Sequence, residues 1–243
     1  SISKNKETEY QKVLAEKAKR RSEILAAIFN LIGGTEKINF ETALAYANEA
    51  KKQTGIDPAF LLAILTQESN LGKNVGQCFL TDPTTGNGKG ANTGSAQIRV
   101  MHPTRDAPVF LSITSKLGID YTTTRVSCWI TDYRYNSATK KKDLPFGWGG
   151  AMGPAQFIPS TWKMFDGRLR SLLGREANPW SPRDAFMATA MYLTDLGAVG
   201  ASTSAQHRAA CKYYGTGGST CSYSNSVMKY KAGIQKNIDL LQN

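Results

Sequence analysis

One stretch constrains the fold more than any other: Asp57-Pro58-Ala59-Phe60-Leu61-Leu62-Ala63-Ile64-Leu65-Thr66-Gln67-Glu68-Ser69-Asn70-Leu71-Gly72. It reads as one helix. The Asp57 side chain suits an N-cap, and Pro58 suits a first helical position, where its missing N–H is not needed. From Phe60 to Leu65 the run is apolar on every side, so this helix has no solvent face and must be enclosed by other elements. Gly72 supplies a C-terminal stop. Near the end of the rod sits one carboxylate, Glu68, which helical spacing places on the face of Leu61, Ile64 and Leu65. Apolar surroundings and the negative end of the helix dipole both disfavour its charged form. A carboxyl so placed is easier to keep protonated near neutral pH, as a general acid requires. The competing reading is a solvated residue at a frayed helix end.

The chain of 243 residues is long enough to build one large domain around such a rod, with room for an appendage. No apolar run reaches membrane-spanning length, and no signal peptide is visible. The net charge of +11 favours polyanions: nucleic acid, anionic lipid or an acidic cell-wall polymer. Apart from Lys140-Lys141-Lys142 and the N-terminal helix, the cations are scattered, and neither zinc-finger spacing nor an RNP-like aromatic motif is present, so no nucleic-acid partner is expected.

Cys78, Cys128, Cys211 and Cys221 form no CxxC pair, and the chain has two histidines, so neither a metal site nor any other cofactor is expected. An even count without metal spacing points to two disulfides and an oxidising, extracytoplasmic compartment. Of the possible pairings, Cys211–Cys221 brackets a short glycine-rich turn and Cys78–Cys128 staples a long irregular segment; these are favoured, against four buried free thiols in a cytosolic protein.

Residues 4–32 read as an amphipathic helix. Leu14, Ala18, Leu25, Ile28 and Ile32 form a heptad-like seam interrupted by Arg21, and Gly33-Gly34 ends it. The seam suggests the end of a coiled coil with a partner; the alternative is a helix packed on its own domain. A helix over 40–53 presents Phe40, Leu44 and Ala47 on one face and stops at Gly55. Thr81 to Gly90 is turn chemistry without periodicity. A short helix runs near Val109 to Leu117, closed by Gly118, and the β-branched run Thr122 to Ile130 predicts a strand. Gly147, Gly149, Gly150 and Gly153 permit close approach of backbone to a ligand or another strand. Ser160 predicts an N-cap for a helix through Leu173. Further helices are expected over Pro182 to Leu196, over Ala205 to Tyr214, and around Val227 to Leu241.

Gln67-Glu68-Ser69 at the end of an apolar helix, together with Gly150-Ala151-Met152-Gly153-Pro154-Ala155-Gln156-Phe157-Ile158-Pro159-Ser160, resembles the lytic transglycosylases of the lysozyme-like superfamily, most closely the membrane-bound type B group. A third signature, an Ala-Tyr-Asn-like helix end, is matched loosely by Ala210-Cys211-Lys212-Tyr213-Tyr214-Gly215, which lacks the asparagine. The resemblance covers roughly residues 40–215. It implies a mainly α fold, a lysozyme-like helical domain with a small β element, here preceded by the coiled-coil-like helix. The corresponding division is residues 1–34 for that helix and 35–243 for the catalytic domain, with an elaborated insertion at about 78–145. It implies cleavage of the MurNAc–GlcNAc β-1,4 bond of peptidoglycan glycan strands, leaving a 1,6-anhydro-MurNAc end.

On that resemblance Glu68 acts as acid and then base. Ser69 orients it or binds glycan, Gln156 binds the substrate or its acetamido group, and Met152 and Phe157 line the groove. Tyr213 or Tyr214 hydrogen-bonds Glu68. No second acid sits in a matching motif, which suits a single-acid mechanism. The rival enzyme is an inverting muramidase, with Asp82, Asp106 or Asp132 activating water across a gap of roughly 6.5–9.5 Å. His102, Arg105 and Asp106 either contact a peptide stem or pin a loop. A non-catalytic wall-binding or assembly module is the reading of a different class.

Overall fold

The computed structural model describes residues 2–29, 37–71, 76–200 and 202–242. The stops expected at Gly33-Gly34 and at Gly72 lie outside the described residues, as does Ile32 of the seam. Among the described residues the chain is mainly helical with three small antiparallel sheets, the class expected.

The apolar rod is helix α3, and placing it requires the elements before it. Helix α1 (Ile2–Ala26) leads to strands β1 (Ile28–Phe29) and β2 (Ile38–Asn39), which pair antiparallel. The helix therefore stops short of the expected residue 32. Beyond Ala26 extended backbone lets Phe29 reach the core, where its ring meets Phe186 at 6.3 Å. The last turns of α1 pack on the core through Ile24 and Leu25. Arg21, the residue that breaks the seam, donates to the carbonyl of Leu241.

Helix α2 (Phe40–Thr54) is capped by Asn39, whose side chain accepts from the N–H of Thr42 at 2.9 Å, and it ends on Gly55 in the left-handed conformation. Its buried face is Phe40, Ala43, Ala47 and Ala50, with Leu44 half-buried at the margin. Helix α3 (Pro58–Leu71) starts as expected: Asp57 accepts from the N–H of Ala59 at 3.2 Å. Its other carboxylate oxygen meets Gln206 Nε2 at 3.0 Å and Lys231 Nζ at 3.3 Å, so one cap ties together three helices. Phe60 to Leu65 are at most 1% exposed, enclosed by α2 and by α6 (Pro182–Asp195) and α8 (Ser222–Gln242) of the second half. Burying Phe60, Leu61, Leu62, Ile64 and Leu65 contributes on the order of 10 kcal/mol, which is why everything else is arranged around this helix.

Between α3 and α6 the chain differs from expectation in three places. Thr81 to Gly90, read as irregular, contains most of a hairpin: β3 (Cys78–Asp82) pairs with β4 (Asn87–Gly90), which pairs with β5 (Ala96–Gln97). The turn is made by Asp82, whose Oδ1 accepts from Thr84 and Thr85. The strand β4 shows no hydrophobic period because it is half glycine. A Cβ at Gly88 would lie 1.9 Å from the carbonyl of Phe79, so strand pairing itself excludes the side chains that a hydrophobic period needs.

The strand expected over Thr122 to Ile130 is absent. Asp120 accepts from both the N–H and the hydroxyl of Thr122 and winds Tyr121–Thr123 into a 3₁₀ turn. Beyond it Val126 makes single bridges to Cys78 and Met152. The hairpin of β6 (Asp132–Asn136) and β7 (Lys141–Phe146) follows.

Helix α4 (Ala107–Leu117) closes on Gly118 as expected, but α5 (Pro159–Leu173) is not capped by Ser160. The backbone N–H of Ser160 is instead bonded to Asp106 Oδ1 at 3.0 Å, a cap supplied from a distant segment. Asp106 is fully buried and bridged to Arg105 at 2.8 Å, so that pair pins a loop.

The chain then runs through α6 and α7 (Thr203–Tyr214), which ends on Gly215, to α8. Both favoured disulfides form, Cys78–Cys128 and Cys211–Cys221. Among the described residues no helix is long and apolar enough to cross a membrane.

Candidate functional site

Glu68 lies in the last turn of α3 to be fully described, where the apolar run gives way to polar residues. It opens onto a cavity of about 260 Å³ whose other walls are Ala155, Gln156, Phe157, Ile158, Thr161, Tyr192, Tyr213 and Tyr214. Two stretches far apart in the chain, the Gln67-Glu68-Ser69 helix end and the Gly-Pro-Ala-Gln-Phe run, thus share one hollow. Burial raises the pKa of Glu68, and a hydrogen bond from Tyr223 acts the other way. Desolvation is the larger effect, so the group favours its protonated form more than a free glutamate does.

The partner of Glu68 is Tyr223, whose hydroxyl donates to Oε1 at 2.5 Å. Neither Tyr213 nor Tyr214 makes this bond. Tyr213 donates to the carbonyl of Ala155 at 3.0 Å and so ties α7 to the opposite wall. Tyr214 stacks on Tyr223, with ring centroids 4.7 Å apart and planes 11° from parallel. Tyr223 sits in the first turn of α8, two residues beyond Cys221, and the Cys211–Cys221 disulfide holds that turn against the end of α7. The apolar spacing that starts at Val227 hid this first turn. Had the disulfide been combined with the helix ends, Tyr223 would have stood out as the aromatic brought beside Tyr214. Burial and the neighbouring Glu68 push the hydroxyls of Tyr213 and Tyr223 upward, so both remain neutral donors.

The facing wall is held by backbone geometry. Gly153 has φ 56°, and a Cβ there would lie 1.9 Å from the carbonyl of Pro179. At this point the close neighbour of the glycine-rich run is backbone. Gln156 is left-handed as well, at φ 57°, a conformation rare for a residue with a side chain. Its N–H donates to Met152 at 3.1 Å and its Nε2 to the carbonyl of Gly153 at 2.8 Å, which hold the strained turn. Gln156 itself is part of the cavity wall.

Phe157 is 4% exposed and forms the floor, in ring contact with Phe165, Tyr192 and Tyr213. Met152 is not on the cavity wall. It is 1% exposed and bridged to Phe157, so it supports the floor from beneath. Ser69 bonds back into its own helix, to the carbonyl of Thr66 at 2.8 Å. Gln67 is bonded to Ser226 of α8 at 2.6 Å.

Glu68 is the one carboxylate in the described lining of this cavity. Asp82 is held by Thr84 and Thr85, Asp106 by Arg105 and Ser160, and Asp132 lies on the exposed β6 strand beside Arg134 at 3.8 Å. A separate hollow of about 200 Å³ between α4 and α5 contains Lys116, Lys163, Asp166 and Glu176.

No protein-family model matches the chain, and no curated protein matches it in sequence. Among solved structures it is similar to the Escherichia coli lytic transglycosylase Slt35 in complex with calcium, at a TM-score of 0.49 and 14% identity, over 91% of this chain and 78% of that one. The same enzyme in complex with bulgecin A gives a TM-score of 0.48 at 14% identity, with the same coverage of both chains.

Substituting Tyr223→Phe removes the bond that lowers the Glu68 pKa, so that pKa should rise further. If the protonated form is the working one, the alkaline limb of the rate–pH profile should move to higher pH while kcat falls about tenfold through loss of orientation. A purely structural Tyr223 would lower stability and leave that limb in place.

Proposed function

We propose that this chain is a peptidoglycan lytic transglycosylase. The observation that carries the reading is the meeting of two stretches in one cavity: a lone, desolvated carboxylic acid, and the segment containing Gln156 that resembles the second motif of these enzymes. In this reading Glu68 protonates the glycosidic oxygen as the bond to the MurNAc anomeric carbon breaks. The acetamido oxygen of the same sugar supports the cationic centre. Glu68, now ionised, takes the proton from that sugar's C6 hydroxyl as its oxygen bonds to the anomeric carbon, and no water is consumed. One residue serves both proton transfers, which a carboxyl whose pKa is raised by burial suits.

Tyr223 keeps the carboxyl aimed at the cavity, the amide oxygen of Gln156 accepts from substrate, and Tyr214 and Phe157 offer ring surface to the sugar. Ser69 and Met152 act through the helix end and the floor. The engagement of Asp82, Asp106 and Asp132 elsewhere favours a single-acid scheme over an inverting hydrolase. The two disulfides favour an extracytoplasmic site of action. Residues 35–243 then form the catalytic domain, with 78–145 as its elaborated part. The exposed α1, with Leu14 41% exposed on its seam, is the segment that would join a coiled-coil partner.

Digestion of purified sacculi with mass detection tests the assignment. Anhydro-MurNAc ends are expected. Reducing ends would convert the reading to a muramidase, and binding without soluble products would leave a wall-binding module.

A further inference from the structure

The hairpin β6–β7 is unlike the rest of the molecule. Every residue of its two strands is exposed except Asn136, which is half-buried. Yet it carries large apolar groups: Tyr135 is 67% exposed, Leu144 49% and Phe146 46%, with Ile130 at 77% just before it. The register sets Phe146 opposite Asp132 and Leu144 opposite Arg134 on one face, while Tyr133 and Pro145 share the other. Trp129 covers part of Tyr133, with ring centroids 5.4 Å apart, and the Arg134 guanidinium lies over the Phe146 ring at 3.1 Å, but both side chains stay exposed, so apolar surface is presented on both faces. A flat protein partner or a glycan platform covers one face of a sheet. A medium that surrounds the hairpin covers two.

Its charge agrees. Four cations, Arg134, Lys140, Lys141 and Lys142, stand against two carboxylates, Asp132 and Asp143. Both acids are engaged within the hairpin, Asp143 by the hydroxyl of Thr139 at 2.8 Å and Asp132 by Arg134. The three lysines lie at and beside the tip with no ion pair among the described residues. The base is stiff: Trp129 donates to the carbonyl of Phe146 at 2.8 Å, and Arg99 lies between Trp129 and Trp148, at 5.5 and 4.0 Å from their ring centroids. Aromatic and aliphatic side chains beside a lysine cluster are what the headgroup region of an anionic bilayer accepts.

We propose that the β6–β7 hairpin docks this protein onto an anionic lipid surface, with Tyr135, Leu144 and Phe146 entering the headgroup layer and Lys140, Lys141 and Lys142 meeting lipid phosphates. The contact is independent of Glu68.

The test is co-sedimentation of the full chain with phosphatidylglycerol vesicles and with phosphatidylcholine vesicles. Binding to the first should exceed binding to the second at least tenfold and weaken in high salt. Replacing Lys140, Lys141 and Lys142 by glutamine should lower the partition coefficient roughly a hundredfold, at about fivefold per charge. A second variant, Tyr135→Ser with Leu144→Ser and Phe146→Ser, should lower it at least tenfold. Both variants should keep the parent's circular dichroism and melting temperature, since no buried side chain is altered. Equal binding to both lipids, unchanged binding of both variants, or loss of binding to sacculi in place of vesicles would overturn the proposal.

Discussion

Glu68→Gln should reduce turnover of sacculi by at least about a thousandfold while leaving the protein folded. General acid or base assistance is worth roughly 10²–10⁴-fold at one step, and in the proposed mechanism a single group serves two steps. Glutamine can still accept from Tyr223 through its amide oxygen, so the loss would isolate the proton from the geometry. Stability should change in the opposite direction. The folded pKa of Glu68 is raised by burial, so its contribution to stability is fully present below the unfolded carboxylate pKa, at about 4, and is lost as pH rises through the folded value. As pH rises through the folded pKa the wild type takes on the cost of an ionised, desolvated carboxylate, and glutamine does not. The variant's melting temperature should therefore match or exceed the parent's at neutral pH, and any advantage should vanish near pH 4. An active Glu68→Gln variant would end the single-acid scheme.

Removing the Cys78–Cys128 bridge by a double alanine substitution is the change with the largest expected effect on stability. The cysteines are 50 residues apart in sequence, so the cross-link excludes a large share of unfolded conformations. Chain entropy assigns a loop of that length about 4 kcal/mol, a large part of a domain's whole margin. Cys211–Cys221 closes a loop of 10 residues and is worth about 2.7 kcal/mol on the same basis. Urea midpoints of the two double variants should rank in that order. The shorter bridge should show its larger effect in activity, because it holds Tyr223 and Tyr214 beside Glu68.

Several helices were legible because they carry their own punctuation. Asn39 and Gly55 bound α2, Asp57 and Pro58 open α3, Gly118 and Gly215 close α4 and α7, and an unbroken apolar run has no stable place except inside. The strands were less legible. The β4 strand lacks side chains that report a period, and the β-branched run near Thr122 was overruled by the local bonds of Asp120. The cap of α5 was also out of reach, since Asp106 comes to Ser160 from a distant segment.

What the sequence determined by itself was local: where most helices begin or end, which helix must be buried, and that an acid near its end lies on an apolar face. Each follows from interactions spanning a few residues, plus the rule that apolar surface leaves water. What only the tertiary structure decided was which groups meet. Tyr223 instead of Tyr213 or Tyr214 bonds Glu68, Met152 lies beneath the floor, and backbone fills the space beside Gly153. Those outcomes depend on the angle at which α7 and α8 cross α3 and on ångström-scale packing. No pairwise spacing along the chain encodes either one.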